Sequence, residues 1–133
     1  MTDSNLIAQA LSVRSNAYAP YSGYQVGAAL LGENKMFTGA NVENASYGAT
    51  ICAERSAVTQ AISAGIRQID VVAIATENSP PAAPCGICRQ VLREFCDDPA
   101  SLRVLLVNSK NEIKELTLAD LLPRSFAGDQ LDP

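Results

Sequence analysis

The chain has 133 residues, 47% of them hydrophobic, and ten basic against fourteen acidic side chains leave a net charge of −4. A chain of this length buries roughly two-thirds of the surface it exposes when unfolded, so its four cysteines are not required as staples. The acidic balance, with no basic run, argues against a protein that grips a nucleic-acid backbone, and no stretch approaches the ~18 consecutive apolar residues of a membrane span.

Leu6, Ile7, Ala10, Leu11 and Ala17 recur at helical spacing and Ser4 is a fitting N-cap, which predicts an opening helix. "AYAPYSGY" breaks it with Pro20 and Gly23. "VGAALL" and "MFTGAN" read as strands joined by a turn through "GENK". "CAERSAVTQAISAG" is helical, with Ala57, Val58, Ala61, Ile62 and Ala64 on one side and Gly65 at the position after the C-cap. "IDVVAIAT" is a continuous apolar strand, the pattern of a sheet covered on both faces. A proline-rich loop, "NSPPAAP", leads into a helix over "CGICRQVLREFC", with Val91, Leu92 and Phe95 facing the core. "LRVLLVNS" and "EIKEL" are the last two strands, around an "NSKN" turn, and "LADLLP" closes with a short helix. The order α-β-β-α-β-α-β-β-α implies an α/β fold with a mixed sheet of about five strands and helices on both faces. With no repeat, linker or low-complexity segment, one domain over residues 1–133 is expected. The opening "MTDSNLIAQA" lacks the basic and apolar regions of a signal peptide, so a reducing cytoplasm is the expected location.

The chain contains no histidine, so the commonest general base and the commonest nitrogen ligand are both missing. Any metal would have to be held by cysteine thiolates, with carboxylates as the only other charged candidates. "PCGIC" puts Cys85 and Cys88 one turn apart at the start of a helix, a spacing shared by redox pairs and zinc half-sites. "CAER" puts Cys52, Glu54 and Arg55 at another helix start. In a helix interior Cys52 and Glu54 would not face each other, but at an N-terminus the end of the helix addresses the site. Two such ends aimed at one point favour thiolates, and three thiolates beside a carboxylate leave one metal position open, as a hydrolytic zinc requires. Arg55 is then placed to hydrogen-bond the thiolates and draw off their excess charge; by position alone it reads as an exposed helix arginine. Two other classes stay open on these residues. A structural zinc module needs a fourth ligand, for which Cys96 is the spare thiol, and a CxxC oxidoreductase leaves Cys52 surplus.

Five separated motifs, "PYSGYQVGAAL", "GANVENASY", "ICAER", "PCGICRQVLREF" and "LLPRSF", resemble in order and spacing the small homotetrameric cytidine deaminases, in the variant where cysteine replaces the usual histidine ligand. The resemblance implies a three-layer α/β/α sandwich and hydrolysis of cytidine and deoxycytidine to the uracil nucleosides plus ammonia, in pyrimidine salvage. It implies one Zn2+ per subunit on Cys52, Cys85 and Cys88, with Glu54 as the proton shuttle from zinc-bound water to ring N3 and the departing amine. Asn41 and Glu43 match residues that hydrogen-bond the ribose, with Val42 between them. Tyr24 stands where the family usually has phenylalanine against the pyrimidine. Phe126 and Tyr47 match aromatics that reach a neighbouring subunit's site. A blasticidin-type aminonucleoside deaminase shares the zinc motif, but Glu43 favours an ordinary ribose or deoxyribose. The expected partner is therefore a small nucleoside, with neither nucleic acid nor membrane.

Overall fold

The computed structural model describes residues 2–131. Its helices and strands follow the expected order: α1 (Asp3–Arg14), β1 (Gly27–Gly32), β2 (Lys35–Ala40), α2 (Ala53–Ser63), β3 (Val71–Ala75), α3 (Gly86–Glu94), β4 (Arg103–Val107), β5 (Ile113–Thr117) and α4 (Leu118–Leu121). Single 3-10 turns occur at Tyr47–Ala49 and Gly128–Leu131.

The five strands lie in the order β2-β1-β3-β4-β5. Only β3 and β4 run parallel, with α3 in the connection between them, and the other pairs are antiparallel. The β1–β2 hairpin closes through Glu33 and Asn34, whose φ angles of 51° and 65° define the twist-matched two-residue turn. Alternation along the strands then sorts the two faces. Val71, Ala73, Ala75, Leu105 and Val107 point at Leu6 and Ala10 of α1. Val72, Ile74, Val104 and Leu106 join Ala57, Val58, Leu92 and Leu118 from α2, α3 and α4. The result is the three-layer sandwich, with one long helix on the first face and three on the second.

Two helices press directly onto the sheet backbone. A Cβ at Gly27 would come within 2.2 Å of the Ala10 carbonyl oxygen, and one at Gly39 within 2.5 Å of the Ala57 nitrogen and 2.7 Å of the Ala53 oxygen. Glycine is therefore what lets α1 seat on β1 and α2 on β2.

Local expectations need three corrections. The cap of α1 is Thr2, not Ser4: its hydroxyl accepts from the Asn5 N–H at 3.2 Å, so Ser4 falls inside the first turn. Ala17 lies beyond the end of α1, and Ala64, the C-cap of α2, is exposed because the chain there is turning away through Gly65.

Candidate active site

Cys52 and Cys85 occupy equivalent places, the N-caps of α2 and α3, both with extended backbone. A serine or aspartate at such a position turns its side chain back onto the helix's own N–H groups. Neither cysteine makes that bond, so both sulfurs remain turned to the space between the two helix ends. Cys88, buried one turn into α3, completes the group. All three Sγ atoms lie within 4.8 Å of one another, with Cys52–Cys85 at 3.9 Å and Cys85–Cys88 at 3.5 Å. Three sulfurs at tetrahedral angles around one zinc stand ~3.8 Å apart, given Zn–S bonds of ~2.3 Å, so these distances fit the ion. The thiols are all free, and none is drawn into a disulfide.

The electrostatics favour a thiolate at Cys52. The Cys52 thiol is lowered to about 5, first because it accepts from Cys88, with Arg55 and Cys85 adding hydrogen bonds against the opposing effect of burial. Cys88, as the donor, is pushed above the usual thiol range, and burial and the Glu54 charge push the same way. Arg55 donates from one terminal nitrogen to Cys52 Sγ at 3.5 Å and to the Thr50 carbonyl at 3.4 Å. Position alone read it as an exposed helix arginine; in the structure it lies half-buried against the thiol group. Glu54 is only 4% exposed, and burial, reinforced by the Cys52 charge, raises its carboxyl above the ordinary range.

A cavity of about 280 Å³ opens over this group, walled by Cys52, Glu54 and Cys85 at one end and by Tyr24, Asn41 and Glu43 at the other. Asn41 is buried, and its amide spans β1's entry: Oδ1 accepts from the Val26 N–H and Nδ2 donates to the Tyr24 carbonyl, each at 2.8 Å. Glu43 accepts from the N–H groups of Tyr21 at 3.0 Å and Ser22 at 3.1 Å, and from the Ser22 hydroxyl. Ser22 thereby holds the carboxyl below its usual range. Among the described residues, Val42, Tyr47 and Phe126 are not part of the cavity wall. Val42 bridges Tyr18 and Ile51 by its main chain with its side chain outward. Tyr47 is 77% exposed and meets Tyr21 edge-on, ring centres 6.1 Å apart. Phe126 is 54% exposed, on a segment laid along α3 by three bonds: Arg89 to the Leu121 carbonyl, Arg93 to the Ser125 hydroxyl and Gln90 to the Phe126 carbonyl.

Sequence reasoning missed Ser22, Thr50 and Thr76, which also line the cavity. For Ser22 the "PYSGY" turn was the available signal, since a serine before a glycine in a tight turn is free to bond a neighbouring strand. Cys96 stands apart: it sits in the core cluster and donates to the Arg93 carbonyl at 3.8 Å, so it is no fourth ligand.

Fold and site together define an α/β protein in which three cysteine sulfurs that could hold a metal ion lie beside a buried carboxyl. The family model for the cytidine and deoxycytidylate deaminase zinc-binding region matches residues 1–101. The chain belongs to that family. It is 45% identical over 128 residues to a cytidine deaminase of Halalkalibacterium halodurans, covering 96% of each chain. The crystal structure of a cytidine deaminase from Burkholderia pseudomallei superposes with a TM-score of 0.89 at 46% identity, over 95% of this chain and 100% of that one. A cytidine deaminase structure from Mycobacterium tuberculosis gives 0.79 at 37% identity, over 95% and 98%.

Proposed function

We propose that the chain is a zinc-dependent hydrolase that converts cytidine and deoxycytidine to uridine and deoxyuridine, releasing ammonia. The observation that carries this is the juxtaposition of three thiols within 4.8 Å of one another and the buried carboxyl of Glu54, with Cys52, Cys85 and Glu54 lining one small cavity and Cys88 buried behind it. Zinc, when bound, supplies the Lewis acidity that makes water a competent nucleophile near neutral pH. Cys52, Cys85 and Cys88 hold it, one ion per chain, and Arg55 offsets the charge that three thiolates leave in excess. Glu54 accepts one proton from the water attacking C4 and delivers it to ring N3; it then takes the remaining proton from the new C4 hydroxyl and passes it to the amine, which leaves as ammonia as C4=O forms. Atoms balance: nucleoside and water become the uracil nucleoside and ammonia. Burial suits Glu54 to this task, because a carboxyl with a raised pKa both takes and gives protons.

At the other end of the cavity, Asn41 and Glu43 bind the sugar. Asn41 is already fixed by two backbone bonds, so its second N–H is presented to a hydroxyl at little further cost. Glu43 stays ionised and accepts from a hydroxyl with its free lone pairs. Tyr24 supplies the face against which the pyrimidine lies, and Val42, bridged through its main chain to Tyr18 and Ile51, sits between the two sugar-binding residues. The exposed Phe126 and Tyr47 face other copies in a homotetramer, where each closes a neighbour's cavity against water. A single catalytic domain over residues 1–133, in the cytoplasm and serving pyrimidine salvage, fits this assignment.

Loss of cytidine's ultraviolet absorbance on adding purified, zinc-loaded protein tests the activity, and a chelator should abolish it. A zinc-loaded protein that leaves cytidine intact would sink the proposal.

A further inference from the structure

Tyr24 follows the turn through Pro20 and Gly23 and forms part of the cavity wall. Its main chain is held on both sides: its N–H donates to the Ser22 hydroxyl at 3.0 Å and its carbonyl accepts from Asn41 at 2.8 Å. The far end of its side chain is held too, because the hydroxyl donates to Asn78 Oδ1. Asn78 belongs to the loop between β3 and α3, the same loop that delivers Cys85. That loop is anchored in turn. The Asn78 carbonyl accepts from Asn108 Nδ2 at 2.9 Å, and Asn108, just past β4, is 1% exposed. Asn108 Oδ1 accepts from the N–H groups of Lys110 at 3.0 Å and Glu112 at 3.1 Å. Its amide also reaches Glu112 Oε1 at 3.0 Å, and that oxygen accepts from Ser79. An unbroken run of hydrogen bonds therefore leads from the buried end of β4, through the loop, to the tip of the Tyr24 ring.

We propose that Tyr24 and Asn78 form a latch across the rim of the cavity, fixing the Tyr24 ring as a preset wall for the pyrimidine. The inference rests on the nucleoside reading of the cavity given above. It makes the hydroxyl of Tyr24, which donates to Asn78, a positioning group for substrate capture. A phenylalanine fills the same wall but has no donor for Asn78. Its ring has to be ordered when substrate arrives, a cost that corresponds to about two- to tenfold in capture. The latch is made before substrate binds and is kept through the reaction, so its loss weakens ground and transition states alike and appears in KM rather than kcat.

The test uses zinc-loaded Tyr24→Phe, Asn78→Ala and the double variant, with cytidine kinetics and amide hydrogen exchange over residues 77–80 in the substrate-free protein. Each single change should raise KM about two- to tenfold with kcat held within about twofold, and the double variant should be no worse than the weaker single. Exchange in 77–80 should quicken in Tyr24→Phe. Unchanged KM in both singles, or additive losses in the double, would overturn the latch. So would a raised KM in Tyr24→Phe alone, which would mean that the hydroxyl bonds the ligand instead of Asn78. If the parent protein consumes no cytidine, the nucleoside reading fails by itself, and unaltered exchange in Tyr24→Phe then decides against the latch independently.

Discussion

The start of α1 is built differently from the starts of α2 and α3 on the opposite face of the sheet, where only α4 is capped in the same way, by Thr117. On one face α1 begins with Thr2, whose hydroxyl serves the helix's own Asn5 N–H, and the helix then lies along the sheet with Leu6 and Ala10 buried. On the other face α2 and α3 begin with cysteines that make no capping bond, and their first turns carry Glu54 and Cys88. The first arrangement gives stability to the fold, from a satisfied end and a packed side. The second leaves N–H groups and sulfurs turned toward a common point, giving up local stability for a place where anions and a metal can sit. The side of a helix contributes to the core and its end can contribute chemistry; α2 and α3 do both, with Ala57, Val58 and Leu92 packed in the core.

The largest effects should come from the uncapped starts. Cys52→Ala, Cys85→Ala and Cys88→Ala should each lose bound zinc and activity together by metal analysis and assay, while Cys96→Ala keeps both. Glu54→Gln should keep zinc and fold but lose at least ~10²-fold in turnover, because water and ring N3 lose their proton carrier. On the opposite face, Leu6→Ala should cost about 2–5 kcal/mol in denaturant unfolding yet leave kcat per zinc-loaded folded molecule unchanged. A fall in kcat there would break the division between the faces.

Cys52→Ser sharpens the comparison, because serine is a preferred cap and a poor zinc ligand. Measured without metal, it should stabilise the protein by up to about 1 kcal/mol relative to the parent while failing to bind zinc. The smallest effect belongs to the outer tie of α1. Arg103 donates to Asp3 at 2.6 Å and to Glu115 at 3.0 Å, and both carboxyls are held below their ordinary range, chiefly by those hydrogen bonds. Lowered folded-state values mean that this stabilisation is present above the usual carboxylate range and is lost as pH falls through it. Arg103→Ala should therefore cause a small drop in Tm at neutral pH that disappears near about pH 2, when all the carboxyls are protonated.

Much of this was legible in the sequence because it is written locally. The continuous apolar run of β3 announced a doubly covered strand, the two-residue turn at Glu33 and Asn34 announced a hairpin, and Gly65 announced the end of α2. Cys52, Cys85 and Cys88 converge because helix starts carry them; their spacing pointed to those starts but left a redox pair and a structural zinc open. What stayed hidden depends on partners distant in the chain. The commitment of Asn41 to the backbone of residues 24 and 26, the three donors on Glu43, and the link from Tyr24 to Asn78 leave no periodic mark. Thr2 and Ser4 are both competent caps, and only the register of the first turn against the sheet chose between them.

The seat of α2 on β2 at Gly39 also acts as a gauge for the metal centre. Metal–sulfur distances tolerate errors of only about 0.2 Å, and two of the three sulfurs ride on α3 while the third rides on α2. A methyl group at position 39 would work as a shim, prising the first turn of α2, with Cys52 and Glu54, off the sheet while Cys85 and Cys88 stayed in place. Because the carbonyl it would strike belongs to Ala53, between those two residues, none of the shim's thickness would be absorbed before it reached the thiol. The bare backbone of one residue, contributing no side chain to the cavity, thus sets the spacing on which the proposed zinc site would depend.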